Sequence, residues 1–222
     1  MLNDSQRIHP PHRLGTFALS LGLVCASLLG LVSTIQAAPE PEPIPRRWEF
    51  KIEPGELRLA CIDVPTVGPQ AFFYFTYKVT NTSSQDRFFA PSFELASDRG
   101  EIIRSGRDVP PMVSDVLLAR INRPFLSNEI DVQGLLLQGK ENAREGLVIW
   151  RADDLLADEI TIYAAGFSGE TRSITRPDTG EPVLLRKTLM LKHLTPGDLD
   201  CRDLHPIERE ETRWIMRSPS AR

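Results

Sequence analysis

The sequence predicts an all-β domain of antiparallel sheets stacked face to face, with one short helix laid over it. Three observations carry this. From Trp48 onward, short apolar runs are broken by Gly, Pro, Asn, Asp and Ser at intervals of about eight to twelve residues, the spacing of a sandwich or barrel. Several runs alternate apolar with polar residues, so one face is buried and the other wet. One run, 146-GLVIWR-151, is apolar on both sides, as a central strand covered twice must be.

The N-terminus sets the compartment. Arg7 and Arg13 precede an uncharged run from Leu14 to Ile35, and 33-STIQAAPEPEP-43 follows, the order of an export signal. Cleavage is expected after Ala37, because a cut after Ala38 would put Pro39 at the scissile bond. The apolar run also reaches the roughly 20 residues that span a bilayer, so retention of residues 14–35 as an inner-membrane anchor stays open. Either way the remainder of the chain crosses the membrane and is expected in the periplasm or outside the cell. Gly22 stands where a lipoprotein box before Cys25 needs leucine, which argues against lipidation. Residues 38–47 alternate Pro with Glu and read as a semi-rigid spacer. The domain is expected over 48–217, and 218–222 as a disordered tail.

Removal of residues 1–37 leaves 185 residues, ample for one core. It takes two Arg and one Asp with it, leaving 24 basic and 29 acidic residues, a net charge of −5. A mixed, mildly acidic surface lacks the clustered Lys and Arg that nucleic acid requires, so no nucleic-acid partner is expected.

The elements follow in order. Strands are expected near 48–53 and 57–63, where Leu57, Leu59 and Cys61 oppose Glu56 and Arg58. The next, 71–80, lies in 70-QAFFYFTYKVTNTSSQDRFF-89, which holds seven aromatic side chains. Phe73, Phe75, Tyr77 and Val79 share its core face; Phe72, Tyr74, Thr76 and Lys78 share the other. A polar turn at 81–86 folds the strand 87–95 back, so that Phe88 joins Phe72 and Tyr74. This second face is either covered by the helix or the N-terminal strand, or exposed as an aromatic patch for a partner or a sugar ring. In 110-PPMVSDVLLARINRPF-125, Val113, Val116, Leu117 and Ile121 recur at three and four between a Pro pair and Pro124, which predicts a helix over 112–122. Further strands are expected near 129–137, 145–151 and 158–165, the last with Ile160 and Ile162 opposite Thr161 and Tyr163. The strand 183–192 sets Val183, Leu185, Leu189 and Leu191 against Arg186, Thr188 and Lys192, and 210–217 closes the domain.

The order 77-YKVTNTSSQDRFF-89, 135-LLLQGKENAREGLVIW-150 and 158-DEITIYAAGFSGET-171 resembles the immunoglobulin-like modules of secreted bacterial proteins of planctomycete type. In these a Tyr-x-Val-x-Asn strand ends in a polar turn, and a Gly-centred hairpin, here at Gly139, leads into a strand ending in an aromatic. The resemblance covers most of residues 48–217. It implies an antiparallel immunoglobulin-like β-sandwich with an inserted helix and no established activity, since fold alone does not fix function.

Little in the chain points to catalysis. Cys61 and Cys201, the cysteines outside the export segment, are expected to form a disulfide; the alternative is one buried and one exposed thiol. Cys201 and His205 supply at most two ligands where zinc takes four or keeps three, and no metal is expected. Asp153, Asp154, Asp158 and Glu159 cluster in a turn that lacks the spacing of a calcium loop. In 165-AGFSGE-170 a Gly follows Ser168 directly, whereas a nucleophile elbow has one residue between them. No catalytic residue and no cofactor is expected. The reading is a non-catalytic envelope protein that binds another protein or an envelope component. The alternatives are a carbohydrate- or small-ligand-binding module using Phe72, Tyr74 and Phe88, and an enzyme of unknown type.

Overall fold

A computed structural model describes residues 39–176, 178–197, 199–201 and 205–219. The expected export segment 1–37, its anchor alternative over 14–35 and the end of the expected tail lie outside the described residues.

The described residues are mostly β, with one short α-helix. The strands are β1 (Lys51–Val64), β2 (Gly68–Thr80), β3 (Arg87–Phe89), β4 (Ser92–Ser97), β5 (Ile102–Arg104), β6 (Leu126–Ser127), β7 (Gly134–Leu136), β8 (Arg144–Arg151), β9 (Glu159–Ala165), β10 (Thr171–Thr175), β11 (Pro182–Leu194) and β12 (Glu208–Arg217). The helix α1 (Pro111–Ile121) lies between β5 and β6. One sheet has the order β1-β2-β8-β6. A second joins β5-β4-β9-β11, and β11 also pairs β10 through its first residues and β12 through its later ones. The short strands β3 and β7 form a two-stranded ribbon.

Several sequence expectations change. The strands expected at 48–53 and 57–63 are one, with its register shifted between Pro54 and Leu57. Pro54 cannot donate to a ladder, so the strand bulges there instead of ending. At the bulge only glycine fits, since a Cβ on Gly55 would lie 2.6 Å from the Thr76 carbonyl oxygen. The strand expected at 87–95 is split by Ala90 and Pro91: β3 pairs β7, whereas β4 pairs β9. Most of the strand expected at 129–137 is a turn, because the Asn128 side-chain oxygen accepts from the Ile130 and Asp131 amides at 2.9 and 2.8 Å; only β7 remains. Gly139, at φ 101°, opens a 3-10 turn and centres no hairpin, since β7 pairs β3 while β8 pairs β2 and β6. The β6–β8 pair is parallel, so the ladders are not all antiparallel.

The two larger sheets bury facing side chains in one cluster, in which Leu57, Phe73, Phe75 and Trp150 meet Phe93, Ile160, Ile162 and Leu191. Ring pairs cross the interface, Phe75 to Phe93 at 6.2 Å and Tyr77 to Phe93 at 5.0 Å, tilted as the ring quadrupoles prefer. On the other side of the first sheet, Ala60, Ile62, Phe72, Leu147 and Ile149 pack under Val113 and Leu117 of α1. Hence β8 is buried on both faces, as its continuous apolar run requires. The helix begins at Pro111, where the missing amide is harmless, and ends on Asn122 in the left-handed region (φ 51°, ψ 48°), whose amide donates to the Leu118 carbonyl.

On β11 the expected wet face is partly dry, with Thr188 and Met190 both buried. More unexpectedly, Lys187 alternates onto the core side between Leu185 and Leu189, and it is 4% exposed. A buried ammonium must be paired. Its Nζ meets Glu49 at 2.7 Å and Glu170 at 3.5 Å and lies 5.2 Å from the Trp214 ring centroid.

Candidate functional site

The three aromatic residues singled out in the sequence occupy three different settings. Phe72 is fully buried beneath α1. Tyr74, two residues on, is half-buried, packing against the margin of that same cluster and lining a groove with Arg120 and Ile121 of the last helical turn. Phe88 is carried away from both by the β3–β7 ribbon and is 70% exposed. The structure therefore does not bring the three together on one sheet face. The reason is the partner of β3, which is β7 and not β2.

That ribbon carries exposed apolar side chains on a hydrogen-bonded backbone. Phe88 is registered directly opposite Leu135, which is 54% exposed. Leu137 follows on the same side, while Phe89 and Leu136 point inward and are fully buried. The backbone is pinned from two sides. The buried Asn81 side chain donates to the Leu136 and Gln85 carbonyls, both at 2.9 Å, and accepts from Ser83. The Arg144 guanidinium donates to the carbonyls of Val132, Gln133 and Leu135 at 2.7 to 3.0 Å. With these carbonyls occupied, β7 presents side chains to solvent more than free hydrogen-bonding groups. The sequence reading missed Leu135 and Leu137. Their signal was present in 134-GLLLQ-138, where alternation about a buried Leu136 sets both on one face.

Cys61 and Cys201 are joined by a disulfide, with Cα atoms 5.4 Å apart. Cys61 is half-buried on β1, and the bridge fastens the β11–β12 connection to that edge strand, where the Ile207 amide also donates to the Leu57 carbonyl at 2.8 Å. A disulfide points to an oxidising, extracytoplasmic compartment. Among the described residues no helix is long and apolar enough to cross a membrane.

Other candidates resolve into structural roles. Cys201 is committed to the bridge and is no thiolate ligand beside His205. Among the described residues no group of three or more His, Cys, Asp or Glu is placed to hold a metal ion. In the acidic turn, Asp153 pairs with Arg151, Asp154 with Arg99, and Glu159 with Lys192. Ser168 lies in the break between β9 and β10, where its hydroxyl accepts from the Glu170 amide at 3.2 Å and its neighbour Gly169 packs so tightly on Trp48 that a Cβ would lie 2.3 Å from the indole nitrogen.

Two buried titratable groups complete the electrostatics. His193 is fully buried on β11, and its pKa is lowered to about 4, first by burial and then by the charge of Arg209. Glu129 has its pKa raised by burial, against a hydrogen bond from the Ser105 hydroxyl and the charge of Arg104. Ser105 and Glu129 line a cavity of about 450 Å³, and among the described residues no imidazole lines it.

No family model, curated protein or solved structure matches this chain.

Proposed function

We propose that this protein is an exported, non-catalytic binding module of the immunoglobulin-like kind, acting in the periplasm or outside the cell by docking a partner protein on the β3–β7 ribbon. The immunoglobulin-like reading is supported by two sheets that bury facing sides in one core. The compartment reading is supported by the Cys61–Cys201 bridge together with the basic, apolar and small-residue order of residues 1–37.

The observation that carries the docking role is the outward pair Phe88 and Leu135, extended by Leu137, on a backbone fixed by Asn81 and Arg144. Clustered apolar side chains left in water are unfavourable for a lone domain and mark interaction surfaces. Fixing the backbone beforehand lowers the ordering entropy that binding must overcome. Because Arg144 and Asn81 occupy carbonyls of β7, the surface suits a partner that brings apolar side chains, not one that adds a strand.

Quantitative co-purification from exporting cells tests this, comparing wild type with Phe88→Asp/Leu135→Asp. The same protein should be recovered with wild type and be lost from a variant that melts normally. Recovery unchanged by the substitutions refutes the reading.

A further inference from the structure

The helix α1 covers only part of the outer face of the first sheet. Its buried residues Val113 and Leu117 sit over Phe72, Leu147 and Ile149, and the face continues past its last turn. There Arg58 and Tyr74, directly opposite each other in the β1–β2 register, form the floor of a groove of about 430 Å³ walled by Arg120 and Arg123. That volume lies within the range of about 300–1,000 Å³ typical of small-ligand sites.

The charges in the groove do not cancel. Glu56 lies in it but is engaged by Arg58, at 2.7 Å. Arg120 and Arg123 are exposed and have no acidic partner among the described residues. Arg120 suits the negative end of the helix dipole, yet that interaction leaves its guanidinium tip in water. Two guanidinium groups without an acidic partner among the described residues thus line the same groove as one half-buried tyrosine ring, in a chain whose formal net charge is −4.

We infer that this groove binds an acidic carbohydrate, an oligosaccharide bearing carboxylate or sulfate groups. Guanidinium forks match such groups in a two-point geometry. The flat face of Tyr74 supplies the apolar surface on which a sugar ring stacks. A lone inorganic anion would use the charge but neither the ring nor most of the volume. The site shares no residue with the β3–β7 ribbon, so it stands or falls separately from the docking role.

Isothermal titration of the exported protein tests the inference with two acidic probes, hexagalacturonate and a dextran sulfate oligosaccharide. Cellohexaose and inorganic phosphate serve as the neutral and simple-anion controls. At least one acidic saccharide should bind saturably while cellohexaose does not. Arg120→Gln/Arg123→Gln should weaken that binding by about tenfold or more, the loss expected for charge-assisted hydrogen bonds. Tyr74→Ala should weaken it as well, whereas Arg107→Gln, an exposed arginine outside the groove, and Leu135→Asp should leave it unchanged. The glutamine substitutions lie on the surface and should not alter melting, so they keep the test independent of folding. The inference is overturned if neither acidic saccharide binds, if the double glutamine variant binds as tightly as wild type, or if phosphate displaces the saccharide at equal concentration.

Discussion

Phe88 and Leu135 face each other across the β3–β7 ribbon with both side chains in solvent, while their chain neighbours Phe89 and Leu136 are wholly buried. One residue step therefore separates a position that holds the fold from a position that is free to bind. Phe89→Ala should destabilise the protein by about 3–5 kcal/mol, the range for truncating a buried phenylalanine. Phe88→Ala should change stability by no more than about 0.5 kcal/mol. Chemical denaturation of the two variants measures the contrast directly.

The bridge between Cys61 and Cys201 closes a separation of 140 residues. The chain-entropy model assigns such a loop on the order of 4–5 kcal/mol. Alkylation under denaturing, non-reducing conditions should label neither cysteine, and reduction should lower the melting temperature while the sheet signal in circular dichroism survives below it. Two labelled cysteines in the unreduced protein would remove the bridge from the account and, with it, the structural argument for an oxidising compartment.

Acid should weaken the fold through His193. In the unfolded chain this imidazole titrates near 6.5, whereas in the fold its pKa is about 4. The folded state holds the proton less tightly, so the stability tied to the neutral ring is complete above about pH 6.5 and is lost as pH falls toward 4, on the order of 3 kcal/mol across that window. Glu129 acts in the opposite sense, because its raised pKa makes the folded state the better proton binder in acid. The effect of His193 is therefore read as a difference. His193→Met should flatten the fall in unfolding free energy between about pH 6.5 and 4.5 relative to wild type, and parallel curves would show that the ring does not titrate as described.

Lys187 should matter more than its place in an apolar run suggests. Lys187→Ala leaves the Glu49 and Glu170 carboxylates facing one another without a cation, and should destabilise by about 3 kcal/mol or more. Adding Glu170→Gln should recover part of that loss, since it removes one of the two repelling charges. Thermal melts of the single and double variants give the coupling; additive losses would mean that the ion pair is not the cause.

How much of this was legible in the sequence depends on the length of each pattern. The strands β2, β8, β9 and β11 were recognisable because each carries enough alternating or doubly apolar residues to define its faces, and α1 because its apolar spacing is bracketed by prolines, whereas Pro54-Gly55 made β1 read as two strands. The two-residue β6 has no period to read, and its parallel pairing with β8 follows from where the chain emerges after α1. The fate of Phe88 was hidden for a related reason. A three-residue strand does not specify its partner, and the choice of β7 over β2 is reinforced by Asn81, whose side chain ties Gln85 and Leu136 together. Lys187 was within reach, since alternation from Val183 through Leu185 puts a lysine on the core side. The groove beside Tyr74 was not, because Arg58 and Tyr74 come from β1 and β2 while Arg120 and Arg123 come from the end of α1 and just after it, segments that only the fold brings together.

The central claim, that the ribbon is a docking surface, is tested most directly by site-specific photo-crosslinking in cells that export the protein. A photoreactive residue at Leu135 or Leu137 should give one discrete adduct with a different protein, and Phe88→Asp in the same chain should abolish it. The same reagent at Lys78, exposed on β2, should give none. The account is contradicted if Leu135 yields no adduct, if Lys78 yields the same one, or if the adduct is a second copy of this chain.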